Sequence, residues 1–182
     1  FRLAAETADL RAVFADTFRP QMDNQIGLIS RLRRAGATHV LVGGDRADVA
    51  VMARDATERG YELTLAGGET LRAAEGDVPL PEGVLMVGLA EPAEIASEAA
   101  LQAFARREIV PEGYMLPAYA AVEVAVQALV AAEVRGGDVT ATLSSGSFAT
   151  ALGPVRFDEK GDVPGNPYRL FRYDGSRFVP FE

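Results

Sequence analysis

The chain has 182 residues, of which 48% are hydrophobic, and its 18 basic and 26 acidic residues give a net charge of −8. This length suffices for one domain of ordinary size or for two partial lobes, and the apolar fraction allows a sizeable core and argues against global disorder. A negative surface repels phosphate backbones, which argues against a nucleic-acid partner, although solubility is the simplest explanation of the charge.

The first half of the chain predicts alternating helices and strands. The helices are expected at residues 2–16, 26–35 and 45–59, and the strands at residues 38–42, 61–65 and 84–89. Residues 18–24 contain Pro20 and are predicted to be a connection. Gly36 is typical of a helix end, and the apolar run at residues 38–42 predicts a buried strand.

The second half predicts three more helices and a strand-rich end. The helices are expected at residues 93–107, 117–134 and 138–144, and the strands at residues 152–157, 168–173 and 177–179. The helix at 117–134 is apolar on nearly every face, which predicts that it is buried. Pro117 suits its first turn, Gly136 suits its end, and Asp138 is a candidate cap for the helix that follows.

Strands that alternate with helices favour an α/β fold in which helices cover both faces of a parallel sheet.

No leader peptide or membrane-spanning helix is predicted. The chain begins with Phe1 rather than Met, which is consistent with a processed chain or with a piece of a longer one. The most apolar stretch carries residues that a bilayer core would penalise, namely Pro117, Glu123, Gln127 and Glu133.

Two residue types restrict the chemistry. The absence of cysteine excludes disulfides, thiol nucleophiles and cysteine metal sites, and it suits a periplasmic and a cytoplasmic protein equally well. The single histidine, His39, lies in an apolar strand pattern, where a structural role is more common than a catalytic or metal-binding one. A zinc site and a Ser-His-Asp triad therefore have little support.

Several segments, taken in their order along the chain, resemble the C-terminal half of a known family. They are residues 27–41, 42–44, 65–69, 111–114, 119–122, 145–148 and 152–162. The family is that of the periplasmic solute-binding proteins of ABC transporters, of the branched-chain (leucine/isoleucine/valine) amino acid binding type. The resemblance implies a type I periplasmic binding protein fold, in which two α/β lobes hold a small molecule between them.

The resemblance also implies how the chain is divided. Residues 1–90 and 167–182 would belong to the second, C-terminal lobe, and residues 91–166 would form the C-terminal part of the first lobe. The N-terminal part of the first lobe would be absent. A strand expected between the first two helices also has no counterpart, since only residues 15–21 stand in its place. On this interpretation the chain is a fragment or is incomplete.

Glu69 is the first candidate ligand-binding residue. Together with Gly68 it follows a predicted strand, at the edge of a parallel sheet where open α/β folds bind ligands. The resemblance implies that this carboxylate pairs with the α-ammonium group of an amino acid, through a strong charge-assisted contact. The alternative is that Glu69 only caps, or lies in the first turn of, a helix at residues 70–74.

Gly44, Asp45 and Tyr114 are the other candidates. Gly44 allows the backbone to approach a ligand closely. Asp45 stands where amino acid binders of the family often place an aromatic residue, which indicates a ligand more polar or cationic than an aliphatic amino acid; alternatively, it only caps the helix that follows. Tyr114 is either a wall of the ligand cleft or a core residue. The acidic residues around Lys160 lack the spacing of a calcium loop and are interpreted as a turn.

The function implied by the resemblance is non-enzymatic binding of a small amino acid or related ligand, as the periplasmic component of an ABC importer. Its partners would be that ligand and a membrane permease, and no cofactor or metal is expected. The alternative is a cytoplasmic ligand-sensing regulatory domain of the same fold. An enzyme is less favoured, because the chain contains neither a G-x-G-x-x-G loop nor a nucleophile elbow. The isolated fragment is expected to self-associate through its apolar helix.

Overall fold

The structure is a computed structural model that describes residues 2–111 and 113–181. Glu112, which belongs to one of the family-like segments, lies outside the described residues. The chain forms two compact units. The first unit contains the chain up to Leu89 and the segment from Tyr168 onward, and the second unit runs from Ala90 to Pro167.

A five-stranded mixed sheet forms the centre of the first unit. Its strands are β1 (His39–Leu41), β2 (Thr64–Gly67), β3 (Leu85–Leu89), β6 (Tyr168–Tyr173) and β7 (Phe178–Pro180), and they lie side by side in this order. Strands β1, β2 and β3 are parallel, while β6 and β7 are antiparallel to their neighbours. The predicted parallel arrangement therefore holds for the first three strands, and the chain adds a hairpin when it returns to the unit.

Three α-helices and one 3₁₀ helix accompany this sheet. They are α1 (Arg2–Thr7), α2 (Ile26–Ala35), α3 (Arg46–Glu58) and the 3₁₀ helix Glu69–Arg72. Helix α2 ends at Gly36, whose φ of 71° is in the left-handed region that glycine adopts without strain. Apolar side chains of α2 and α3 pack with those of the sheet into one core, which includes Ile29, Met52 and Phe171.

The first helix and the first two strands differ from the prediction. Helix α1 ends at Thr7 instead of residue 16, because Asp9 adopts a φ of 56°, which interrupts a right-handed helix. Strand β1 is at the edge of the sheet and exposes His39, so the prediction of a buried strand is wrong. Strand β2 begins at Thr64, three positions later than the predicted residue 61.

The second unit is mainly helical. Its helices are α4 (Pro92–Ile95), α5 (Glu98–Ala105), α6 (Met115–Arg135) and α7 (Val139–Ser145). The single helix predicted at 93–107 is divided, because Ser97 caps α5 by accepting a hydrogen bond from the backbone of Ala100. Asp138 caps α7 through the N–H of Ala141, as predicted. The strand predicted at 152–157 is observed as β5 (Gly153–Val155), which forms a hairpin with β4 (Phe148–Thr150), a strand that was not predicted.

Helix α6 is not buried on all sides, so that prediction is wrong. One stripe is buried, consisting of Leu116, Ala120, Val124, Ala128 and Ala132. The remaining faces expose apolar residues, which we call the exposed α6 face: Tyr119, Val122, Val126, Leu129, Val130 and Val134. The i, i+4 spacing of the buried stripe shows that one side of this helix has a packing partner among the described residues.

Two polar side chains of α6 bind the backbone of the β4–β5 hairpin. Gln127 donates to the carbonyl of Ala149 at 2.8 Å and accepts from its N–H at 3.2 Å. Glu123 accepts from the N–H of Ala151 at 2.6 Å. By length and composition alone, α6 meets the requirements of a membrane span, but core helices of soluble proteins meet them too. The contacts of Glu123 and Gln127 are those of a helix packed against protein.

Candidate functional site

Two glycine-containing turns lie side by side at the carboxyl ends of neighbouring parallel strands. The first follows β1 and contains Gly44 and Asp45, and the second follows β2 and contains Gly68 and Glu69. The Thr70 hydroxyl donates to the carbonyl of Gly44 at 2.7 Å and joins the turns. The structure thus brings together four of the five candidate residues, at the kind of sheet edge where open α/β folds bind ligands.

Glu69 is the first residue of the 3₁₀ helix, and its carboxylate has two partners. Oε2 accepts the backbone N–H of Leu89 at 2.9 Å, and Oε1 forms an ion pair with Nε of Arg72 at 2.8 Å. The side chain is 20% exposed. Glu69 therefore has the first-turn position that the structural alternative predicts, and it also presents a partly exposed carboxylate at the sheet edge. Ligand binding by Glu69 stays a prediction.

Gly68 and Gly43 leave free space above their backbones. A Cβ built at either position meets no heavy atom within 4 Å among the described residues, and both glycines are exposed. Gly44 differs, because a Cβ there would lie 2.9 Å from Cζ of Phe18. Gly44 therefore allows the close approach of a side chain from the connection that precedes α2, and Gly43 and Gly68 are the glycines that a ligand could approach.

Asp45 is the N-cap of α3. Its carboxylate accepts a hydrogen bond from the N–H of Asp48 at 2.9 Å, which confirms the capping interpretation. The carboxylate of Asp48 in turn accepts the N–H of Gln21 at 2.7 Å and fixes the connection before α2. Capping occupies part of the hydrogen-bonding capacity of the Asp45 carboxylate, and the residue is only half-buried. A second role of Asp45 in ligand binding stays a prediction.

Sequence reasoning missed Arg46, a buried arginine beside the candidate site. Its guanidinium donates to the carbonyl of Leu71 and to the hydroxyl of Tyr173, both at 3.1 Å, and lies over the Tyr173 ring at 4.9 Å. These contacts connect α3 to the end of the 3₁₀ helix and to β6. A charged residue directly after a capping aspartate is usually exposed, so the sequence carried no signal for its burial.

Arg72 was also missed. It pairs with Glu69, donates to the carbonyl of Leu89 at 2.8 Å and lies over the Phe171 ring at 4.8 Å. The spacing of Glu69 and Arg72 was a usable signal, because residues three positions apart in a helical turn face each other. An isolated pair of this kind is too common to indicate a site without the structure.

Tyr114 belongs to the second unit, whereas the other four candidates belong to the first. It directly precedes α6 and is 60% exposed, so the alternative that it is a core residue is wrong. Its predicted contact with a ligand is not tested.

No group of three or more potential metal ligands occurs within residues 2–111 and 113–181. The predicted turn at residues 158–161 is observed, with Lys160 paired to Asp162 at 2.8 Å.

A family model described as "Periplasmic binding protein" matches residues 1–177. A Leu/Ile/Val-binding protein homolog of Brucella melitensis is 27% identical over 100% of this chain and 51% of its own length. A leucine-, isoleucine-, valine-, threonine- and alanine-binding protein of Pseudomonas aeruginosa is 30% identical over 80% of this chain and 41% of its own length. The chain therefore spans about half the length of these curated relatives.

Solved structures share the fold. A branched-chain amino acid ABC transporter protein from Thermus thermophilus with bound valine superposes with a TM-score of 0.70 at 22% identity, over 100% of this chain and 54% of its own. A leucine binding protein from Thermotoga maritima gives a TM-score of 0.67 at 18% identity, over 91% of this chain and 49% of its own. The predicted fold class is confirmed by this likeness. Since the family model covers nearly the whole sequence, the chain belongs to the periplasmic binding protein family, as its segments predicted.

Proposed function

We propose that this chain is part of the solute-binding component of an ABC importer, which binds a small amino acid or a related ligand outside the cytoplasm without catalysing a reaction. The observation that carries the proposal is the pair of turns at the ends of β1 and β2, joined by the Thr70–Gly44 hydrogen bond. They place two acidic residues and two uncovered glycines at one sheet edge. A membrane permease is the expected protein partner, and the periplasm is the expected location.

Glu69 is proposed to bind the α-ammonium group of the ligand. Among the described residues, Oε2 accepts one hydrogen bond and Oε1 is ion-paired with Arg72, and each carboxylate oxygen can accept two hydrogen bonds. A partly exposed carboxylate already held by two contacts loses little conformational freedom when a ligand binds. The resulting charge-assisted contact would be among the stronger ones in the site.

Asp45 is proposed to influence which ligands are accepted. Because it caps α3 from a half-buried position, its negative charge remains close to the candidate site. An acidic group there favours a polar or cationic ligand side chain over an aliphatic one, because apolar groups gain nothing from a nearby charge. Two relatives are named for binding leucine, isoleucine and valine, so these amino acids are the first ligands to test. Polar and basic amino acids should be tested in the same panel.

The two units are proposed to correspond to parts of two lobes. On this proposal the first unit is the C-terminal lobe, and the second unit, with Tyr114, is the C-terminal part of the other lobe. The chain spans about half the length of its relatives, which supports the idea that a further part completes the protein. The remaining ligand contacts would then come from that part.

The proposal is tested with the full-length protein, purified without added ligand. Native mass spectrometry would identify a carried small molecule, and calorimetry with the twenty standard amino acids would measure affinities. Tight binding of one or a few amino acids supports the proposal, whereas no binding across the panel contradicts it. Cell fractionation distinguishes the alternative, because a regulatory domain of the same fold would be found in the cytoplasm.

A further inference from the structure

Gly88 has an unusual neighbour, the carboxylate of Glu69. A Cβ built on Gly88 would overlap Oε2 of Glu69 and would lie 3.1 Å from its carboxyl carbon and 3.1 Å from Cε of Met86. The φ angle of Gly88 is outside the left-handed region, so the backbone itself would accept a side chain. The carboxylate of Glu69 is therefore the nearest group above Gly88, and any larger residue at this position of β3 would displace it.

Arg72 holds the same carboxylate from the other side. Its Nε lies 2.8 Å from Oε1 of Glu69, and its guanidinium lies over the Phe171 ring at 4.8 Å. The planar guanidinium stacks on an aromatic face and still donates along its edge, which an ammonium group cannot do in the same way. Arg72 is thus held by its own packing, and its positive charge attracts Oε1 of Glu69 toward it.

Both residues also secure the backbone of Leu89. Oε2 of Glu69 accepts the N–H of Leu89 at 2.9 Å, and Arg72 donates to the carbonyl of Leu89 at 2.8 Å. Leu89 is the last residue of the first unit before the chain passes to the second, and it pairs with Tyr168, where the chain returns. The contacts of Glu69 therefore connect the candidate ligand site to the point where the chain leaves its unit.

We propose that Gly88 and Arg72 are positioning residues that hold the carboxylate of Glu69 in the orientation that receives a ligand's ammonium group. This inference rests on the proposed function of Glu69. Its physical basis is preorganisation, because a carboxylate that is fixed before binding does not have to be ordered by the ligand. Three features of the structure hold that carboxylate in place. They are the room that Gly88 leaves for it, the ion pair with Arg72 and the hydrogen bond from the N–H of Leu89.

The test uses Gly88→Ala in the full-length protein, with Gly76→Ala as the matched control. A Cβ at Gly76 meets no described atom within 4 Å, so that control adds the same methyl group at an open position. With L-leucine as the calorimetric probe, or the best ligand of the panel, we expect Gly88→Ala to weaken binding about tenfold or more. Gly76→Ala should leave the affinity unchanged, and Arg72→Lys should weaken it to an intermediate degree because it keeps the charge but loses the planar fork.

A double-mutant cycle separates positioning from general damage. If Gly88 acts through Glu69, Gly88→Ala should have less than about a twofold effect on affinity in a Glu69→Gln background. An equal loss in both backgrounds would overturn the proposal, and so would wild-type affinity of Gly88→Ala. These outcomes leave the proposed function itself intact.

Amide hydrogen exchange of the ligand-free protein provides a readout that does not depend on ligand binding. We expect the Leu89 amide to exchange faster in Gly88→Ala than in the wild type and in Gly76→Ala, because its acceptor has been displaced. Unchanged exchange of Leu89 would overturn the proposal. If the wild type binds no amino acid, the proposed function fails, and the exchange measurement alone decides whether Gly88 positions Glu69.

Discussion

The carboxylate of Asp45 accepts a hydrogen bond from the backbone N–H of Asp48 at 2.9 Å, so a candidate ligand-binding residue is also the cap of α3. We expect Asp45→Ala to lower the free energy of unfolding by about 1 kcal/mol, because one N–H at the start of α3 loses its partner. Asp45→Asn should leave it nearly unchanged, since asparagine caps helices as well as aspartate does. Urea denaturation of the three proteins checks both expectations.

The same pair of variants tests whether Asp45 influences ligand choice. Asp45→Asn removes the negative charge and keeps the cap, so a change in ligand preference would be electrostatic in origin. We expect Asp45→Asn to weaken binding of basic amino acids relative to aliphatic ones, and Asp45→Phe to favour apolar ligands further. A ligand panel run on each variant provides the measurement. Identical ligand preferences in wild type and Asp45→Asn would show that Asp45 caps α3 and does not influence ligand choice.

We expect Asp174 to make the stability of the β6–β7 hairpin depend on pH. Hydrogen bonds from the backbone N–H groups of Arg177 and Ser176 lower the pKa of the Asp174 carboxyl below its ordinary value of 3.8. A lowered pKa in the folded state means that the ionised carboxylate stabilises the fold above the ordinary pKa, and that this contribution is lost as the pH falls through the lowered value. Wild type should therefore be more stable than Asp174→Asn at pH 7, with the difference shrinking below pH 3.8. Denaturation at several pH values would refute this if the difference stayed constant.

The exposed α6 face predicts the behaviour of the isolated chain. Apolar side chains that include Val122 and Val126 form a continuous strip along this helix, and exposed patches larger than a few hundred Å² mark association sites. We expect the 182-residue chain, produced alone, to self-associate and to bind ligand weakly. Light scattering is the measurement. A monodisperse monomer with tight ligand binding would contradict the assignment of the second unit to an incomplete lobe.

Substitutions on this face provide the control. Val122→Lys together with Val126→Lys should reduce association, because both side chains point away from the buried stripe of α6. Leu3→Lys changes an equally apolar and exposed residue of α1 and should have no effect. If Leu3→Lys reduced association as strongly, the exposed α6 face would not be the surface responsible.

Local signals in the sequence predicted much of the fold. Gly36 and Gly136 end α2 and α6 with positive φ angles, and Asp138 caps α7, so helix ends marked by specific residues were located correctly. The ends that were wrong depend on weaker signals. Asp9 adopts a left-handed conformation that few residues other than glycine adopt, so the aspartate in the sequence did not mark a helix end as a glycine would. Ser97 caps α5 within a run that otherwise has helical spacing.

The error at α6 has a different cause. Its composition is apolar on most faces, and composition alone does not say which face has a partner. The packed side is shown by the buried stripe of α6 and by the pairing of Glu123 and Gln127 with the β4–β5 backbone. The spacing of apolar residues along the sequence does not reveal long-range contacts of this kind.

The candidate site was predicted only in part, because some of its residues also depend on contacts between distant parts of the sequence. Glycines after strands indicated the turns at Gly44 and Gly68, and the topology of parallel strands brought these turns to one edge. Arg46 and Arg72 were missed, because their roles depend on Tyr173 and Phe171, about a hundred residues further along the chain. The sequence contains no pattern that connects residues so far apart.

Calorimetry with the full-length protein and its Glu69→Gln variant tests the central claim most directly. The variant has nearly the same shape as wild type but no charge, so a bound ammonium group would lose its partner while remaining buried. We expect the affinity for the preferred amino acid to fall by about 2–5 kcal/mol, with little change in the free energy of unfolding. An unchanged dissociation constant would contradict the account and remove Glu69 from the binding site.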